Sequence, residues 1–187
     1  MIKTKIEVIS LVRIAMFSAI ICVTSVITVP LPFTAIPITL GLFGILLAGV
    51  TLPTKEAMIA VGAFILIGLI GVPVFSSFRG GAGVLVSPTG GYIIGYLPCT
   101  LAASLFILLF EKRVSNNTLR FLVRFSGALL GVVLCYAFGL AQFVFITKTP
   151  PAAAIAKTIL PFILPDAIKT FFAVFLSFRL KNILKFQ

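Results

Sequence analysis

The chain has no histidine, a single aspartate and four acidic residues in all, and charged residues make up 10% of its 187 positions. Without histidine there is no His-ligated haem or zinc, and no Ser-His or Cys-His catalytic pair. One aspartate set in an apolar span, with no histidine or paired carboxylate, is poor acid–base equipment, so an enzyme is not expected and no catalytic residue is assigned. The three cysteines, Cys22, Cys99 and Cys135, lie singly in separate apolar segments. They show neither a metal spacing nor a disulfide framework and read as packing residues, so no metal and no cofactor is expected. No G-x-x-x-x-G-K-[ST] occurs, and the Gly80 to Gly83 cluster lacks the lysine and following helix of a phosphate-binding loop; any ATP hydrolysis belongs to another polypeptide.

Apolar residues fill the space that charge leaves. The sequence is 60% hydrophobic with a mean hydropathy of +1.26, whereas about a quarter of a soluble domain is charged. This is the composition of an all-α integral membrane protein, a single membrane domain over residues 1–187 with room for about six spans of ~20 residues. The spans are expected at 8–29, 38–52, 57–72, 89–110, 119–145 and 161–180. The first follows Lys3 and Lys5, is longer than a signal-peptide core and has no small-x-small cleavage site after it. The second and third are short and glycine-rich, which suggests kinks or inward-dipping loops.

A formal charge of +11 would suggest nucleic acid in a soluble protein, but here the basic residues sit at the ends of apolar runs, so no nucleic acid is expected and the charges report topology. Six spans place both termini on one side. Lys3, Lys5, Lys55, Lys112, Arg113, Arg120, Arg179, Lys181 and Lys185 fall on that side, against Arg79, Lys148 and Lys157 on the other. This bias predicts a multi-pass protein of the cell membrane with cytoplasmic termini. Arg13 and Arg124 lie inside apolar runs near the cytoplasmic ends, where snorkelling to the interface accounts for both.

Asp166 and Lys169 stand out as an acidic and basic pair inside one apolar span. A carboxylate at membrane depth costs roughly 3 kcal/mol or more and normally faces a protein cavity with a partner. Their i, i+3 spacing puts them on one helix face. An internal salt bridge that holds helices together and a ligand site both fit. The outer connections are equally unusual. Residues 30–40, PLPFTAIPITL, carry three prolines and cannot be helical, leaving a stiff apolar loop. Residues 73–92, PVFSSFRGGAGVLVSPTGGY, hold five glycines and one arginine and read as a loop folded inward, whose glycines let backbone approach a ligand. The third, ITKTPPAAAIAKTILP, is a connector with room for a short surface helix. These loops would roof a pocket whose floor is Asp166 and Lys169. On the first helix Ala15 and Ala19, at i and i+4, form a small-residue face that would let another membrane helix approach closely, from within the protein or from a partner.

The PLPFTAIPITL loop, the GVPVF…GGAGVLVSPTGGYIIGY segment and the LPDAIKT start of the last helix, in this order and spacing, resemble the BioY-type biotin-binding S components of energy-coupling-factor transporters. The resemblance runs over most of the chain. It implies a six-helix membrane protein, surrounded by lipid, that binds biotin from outside. It also implies a transmembrane coupling protein and two cytoplasmic ATPases as partners, with Ala15 and Ala19 on the face the coupling protein grips. In such a site Asp166 would accept from the ureido N–H groups and Lys169 would donate to the ureido oxygen or neutralise Asp166. Arg79 or a backbone N–H of the glycine loop, at Gly81 or Gly83, would hold the carboxylate, and Tyr92 and Phe33 would pack on the rings. A stand-alone secondary transporter and an S component for another vitamin are the alternatives.

Overall fold

The structure is a computed structural model that describes residues 8–30 and 36–184, with side chains to residue 180. Seven α-helices occur among the described residues: α1 (Val8–Val26), α2 (Gly41–Thr51), α3 (Thr54–Leu69), α4 (Gly90–Phe110), α5 (Asn117–Thr147), α6 (Pro151–Thr158) and α7 (Leu160–Leu184). Six of them correspond to the six expected spans, and the seventh, α6, is the alanine-rich stretch between α5 and α7. Pro151 at its first position needs no N–H partner and starts it.

Among the described residues, four helical segments are long and apolar enough to cross a membrane: α1, Gly90–Arg113, α5 and Leu160–Leu180. The α2 helix is not, because 11 residues at 1.5 Å each extend only about 16 Å. It is instead buried on every side, all its residues except Phe43 being shielded, as expected of a helix that is apolar all round. It packs against α1, α4 and α7 at the centre of the bundle. The expected second span began earlier, at Ile38. Ile38–Thr39 (β2) pairs instead with Thr28–Val29 (β1) in a small antiparallel hairpin, Thr28 opposite Thr39. The tip of that hairpin, with Phe33, lies outside the described residues.

The α3 helix starts directly after Pro53, with Glu56 in its first turn where the helix dipole favours an anion. It stops before Gly71, whose φ of 107° suits glycine. Asn116 caps α5 by accepting from the Thr118 N–H at 2.9 Å. The α4 and α5 helices approach closely through glycine: a Cβ at Gly131 would come within 2.6 Å of the Cys99 carbonyl oxygen.

The glycine-rich connection is folded against the helix ends rather than free. It makes two 3-10 turns, Ser76–Phe78 and Ala82–Val84. Phe75, 1% exposed, inserts over Gly68 and meets Phe64 edge to face at 5.6 Å. The Gly81 N–H donates to the Gly68 carbonyl at 2.7 Å. From α5, Gln142 Nε2 donates to the carbonyls of Leu85 at 2.5 Å and Ser87 at 2.9 Å.

One expectation from the sequence is corrected here. Arg124 does not snorkel: it is 2% exposed, because Glu111 lies within reach just past the end of α4. Arg124 Nε and Nη2 donate to the two Glu111 oxygens at 3.1 and 2.7 Å, and Nη1 donates to Ser177 Oγ at 2.8 Å. Arg13 likewise lies beside a carboxylate, with Nη1 3.5 Å from Glu56 Oε1.

Candidate functional site

The chain runs so that α1, α3 and α5 finish, and α2, α4 and α7 begin, at one end of the bundle. A cavity opens there between the helix ends, the hairpin and the glycine-rich connection, and it encloses about 800 Å³ of empty space, open mouth included. Phe64, Phe75, Val84, Ile93, Tyr96 and Phe162 give it apolar and aromatic walls.

Its floor is charged. Lys169 Nζ lies 2.7 Å from Asp166 Oδ1, and both side chains are less than a tenth exposed. The Tyr136 hydroxyl, from α5, donates to Asp166 Oδ2 at 2.6 Å. One helical turn thus supplies the ion pair, and its link to a second helix is the tyrosine rather than the lysine. The Thr170 hydroxyl donates to the Asp166 carbonyl at 2.6 Å, in the turn just after Pro165.

Each group on this floor keeps capacity to spare. An ionised carboxylate offers about four acceptor positions and an ammonium three donors. Asp166 uses one position on each oxygen, Lys169 one donor, and the Tyr136 oxygen still accepts. A ligand that carries adjacent N–H and C=O groups would find acceptors and donors side by side.

Of the other residues singled out in the sequence, Tyr92 and Arg79 line the same cavity. The Tyr92 ring lies against Gly139, and its hydroxyl donates to the Thr158 carbonyl at 3.3 Å. Arg79 is exposed at the mouth, with Nε 3.2 Å from the Ser76 carbonyl and Nη2 3.4 Å from Thr89 Oγ1, and has no carboxylate partner among the described residues. Gly81 and Gly83 are not cavity-lining. The Gly81 N–H is already bonded to Gly68, and Gly83 is exposed. Phe33 lies outside the described residues. Ala15 and Ala19 are both exposed on α1, along a face shared with Leu11, Val12 and Val23, while Ile14, Phe17, Ser18 and Ile21 face the bundle.

Sequence reasoning missed Tyr136, Tyr96, Ser25, Ser76 and Thr158, all cavity-lining. It also missed Gln142, for which a signal existed, since it is a polar side chain inside the apolar run of α5.

Comparison with known proteins follows the same lines. A biotin transporter BioY from Thermotoga maritima is 35% identical over 173 residues, covering 92% of this chain and 96% of that protein. A probable biotin transporter BioY from Pyrococcus horikoshii is 34% identical over 172 residues, covering 90% and 94%. The crystal structure of the S-component for biotin from an ECF-type ABC transporter superposes with a TM-score of 0.87 at 29% identity, over 97% of this chain and 95% of that one. The BioY family pattern itself spans residues 2–186, and the chain belongs to the BioY family.

Proposed function

We propose that this protein is the biotin-capturing membrane subunit of an energy-coupling-factor uptake system. The observation that carries the reading is the Asp166–Lys169–Tyr136 floor, a buried charged cluster at the base of a largely apolar cavity. Biotin has a ureido head with two N–H donors and a carbonyl, an apolar thioether ring and chain, and a carboxylate. The spare acceptors of Asp166 and Tyr136 suit the N–H groups, and a charged acceptor strengthens such bonds. Lys169 suits the ureido oxygen. The apolar walls suit ring and chain, and Arg79 at the mouth suits the carboxylate. With the head on the floor, the carboxylate points outward.

The side of the membrane follows from the basic residues. The cavity end carries Arg79, Lys148 and Lys157, the opposite end the larger basic set, so the cavity faces outside and the termini lie in the cytoplasm. The exposed Ala15–Ala19 face of α1 is where a coupling membrane protein would dock, with two cytoplasmic ATPases supplying energy, because small residues let helix backbones approach closely.

The purified protein in detergent should bind biotin stoichiometrically without ATP. Titration side by side with thiamine and riboflavin is the test, and equal or tighter binding of either vitamin would sink the assignment.

A further inference from the structure

Hydroxyl side chains in this protein mostly bond back to their own backbone. Thr24, Thr100, Thr147 and Thr170 donate to the carbonyl four residues earlier, and Ser87, Ser104 and Ser177 to the carbonyl three residues earlier. This is the usual default for a hydroxyl without a better partner. Ser25, Ser76 and Thr158 depart from it. Their oxygens are buried and have no partner among the described residues, and all three residues line the cavity. The other unpartnered hydroxyl among the described residues, Thr51, does not line it.

These three hydroxyls come from separate elements: the last turn of α1, the glycine-rich connection and the end of α6. Ser25 is 4% exposed and Thr158 2%. A buried hydroxyl without a partner is unfavourable, so buried polar groups are nearly always bonded. Several of them lining one cavity are accounted for by a ligand that brings the partners.

Their height in the cavity indicates which part of the ligand they meet. Thr158 closes α6 just before α7 begins at the cavity end, whereas Asp166 lies further along α7, so Thr158 stands on the mouth side of the floor. Ser76 stands beside Arg79, whose Nε donates to the Ser76 carbonyl at 3.2 Å. The cavity thus has an inner polar level at Asp166 and an outer one at Arg79.

We propose that Ser25, Ser76 and Thr158 are specificity-determining residues whose hydroxyls hydrogen-bond the ligand, Ser76 and Thr158 joining Arg79 around its carboxylate. This rests on the biotin reading and extends it.

The test compares the parent with Ser25→Ala, Ser76→Ala, Thr158→Val and Thr158→Ser, each titrated with biotin and with biotinamide, whose carboxylate is replaced by a neutral amide. Ligand-free unfolding temperatures are measured in parallel. Each variant that loses a hydroxyl should bind biotin about 10-fold more weakly, and Thr158→Ser should bind as the parent does. For Ser76→Ala and Thr158→Val the loss should shrink with biotinamide. Ligand-free unfolding temperatures should stay equal or rise, since an unpartnered buried hydroxyl has been removed. Parental affinity in all the variants, with a parent that binds biotin, would overturn this inference alone. So would a loss of affinity matched by a fall in ligand-free stability, the mark of a structural role. A parent that does not bind biotin would overturn the inference and the reading beneath it together.

Discussion

At the terminal end of the bundle Arg124 spends its Nε and both Nη groups on Glu111 and Ser177, and its guanidinium lies 4.6 Å over the Phe178 ring. At the cavity end Lys169 spends one donor on Asp166, and Asp166 one acceptor position on each oxygen. Both pairs are buried. The first joins the end of α4 to α5 and, through Ser177, to α7, with a planar side chain matched to a carboxylate. The second joins residues of one helical turn and faces open space. A buried ion pair is by itself weak evidence for stability or for function. What separates the two is unspent hydrogen-bonding capacity and the cavity beside it, so the first reads as a clamp and the second as a ligand site.

The comparison is sharpest when each pair is broken. Arg124→Met takes the guanidinium away from the buried Glu111 carboxylate and should lower stability by about 3–5 kcal/mol, read as an earlier thermal unfolding in detergent. The biotin affinity of the protein that remains folded should be parental. Replacing Glu111 by Leu in the same molecule should recover most of the loss, and a double variant as unstable as the single one would contradict the clamp.

Asp166→Asn should instead act on affinity. The amide keeps the size but turns half of the acceptor capacity into a donor and removes the counter-charge of Lys169. Biotin binding should weaken by about 2–4 kcal/mol. A folded variant with the parent's dissociation constant would place the site elsewhere. Tyr136→Phe removes one donor to the same carboxylate and one spare acceptor, so its cost should be smaller, about 1.5–3 kcal/mol, as for a hydrogen bond to a charged group. An unchanged isotherm would relegate Tyr136 to packing.

The smallest effect on binding is expected on α1. Replacing Ala15 and Ala19 by Trp puts bulk on an exposed face several turns from the cavity, so biotin binding by the purified protein should be unaltered. Uptake by cells that also contain the coupling protein and ATPases should be lost, because the helices can no longer approach. Full uptake would refute the docking role, and loss of both activities would assign these alanines to internal packing.

Much of this arrangement was legible in the sequence. Composition and the spacing of apolar runs give the helix positions to within a few residues, because a membrane helix must be apolar over most of its length, although only four of the helices are long and apolar enough to cross. The ends that shifted did so for local reasons: Ile38 and Thr39 found strand partners in Thr28 and Val29, and Pro53 started α3 early. Asp166 and Lys169 were visible because charge in an apolar span is rare. Tyr136 was not, since a tyrosine amid phenylalanine and leucine carries little signal and its partner is 30 positions away. Arg124 was misread for a related reason. Its position near a helix end satisfies the snorkelling pattern, and only the turn after α4 brings Glu111 against it. The free hydroxyls were out of reach of sequence, because serine and threonine in helices normally satisfy themselves.

The central claim is that the cavity over Asp166 and Lys169 holds biotin head-down, and a structure of the complex tests it most directly. The account predicts the ureido ring within hydrogen-bonding distance of Asp166, Lys169 and Tyr136, with the carboxylate directed to Arg79 at the mouth. Biotin bound with its carboxylate on Lys169, or outside this cavity, would contradict it.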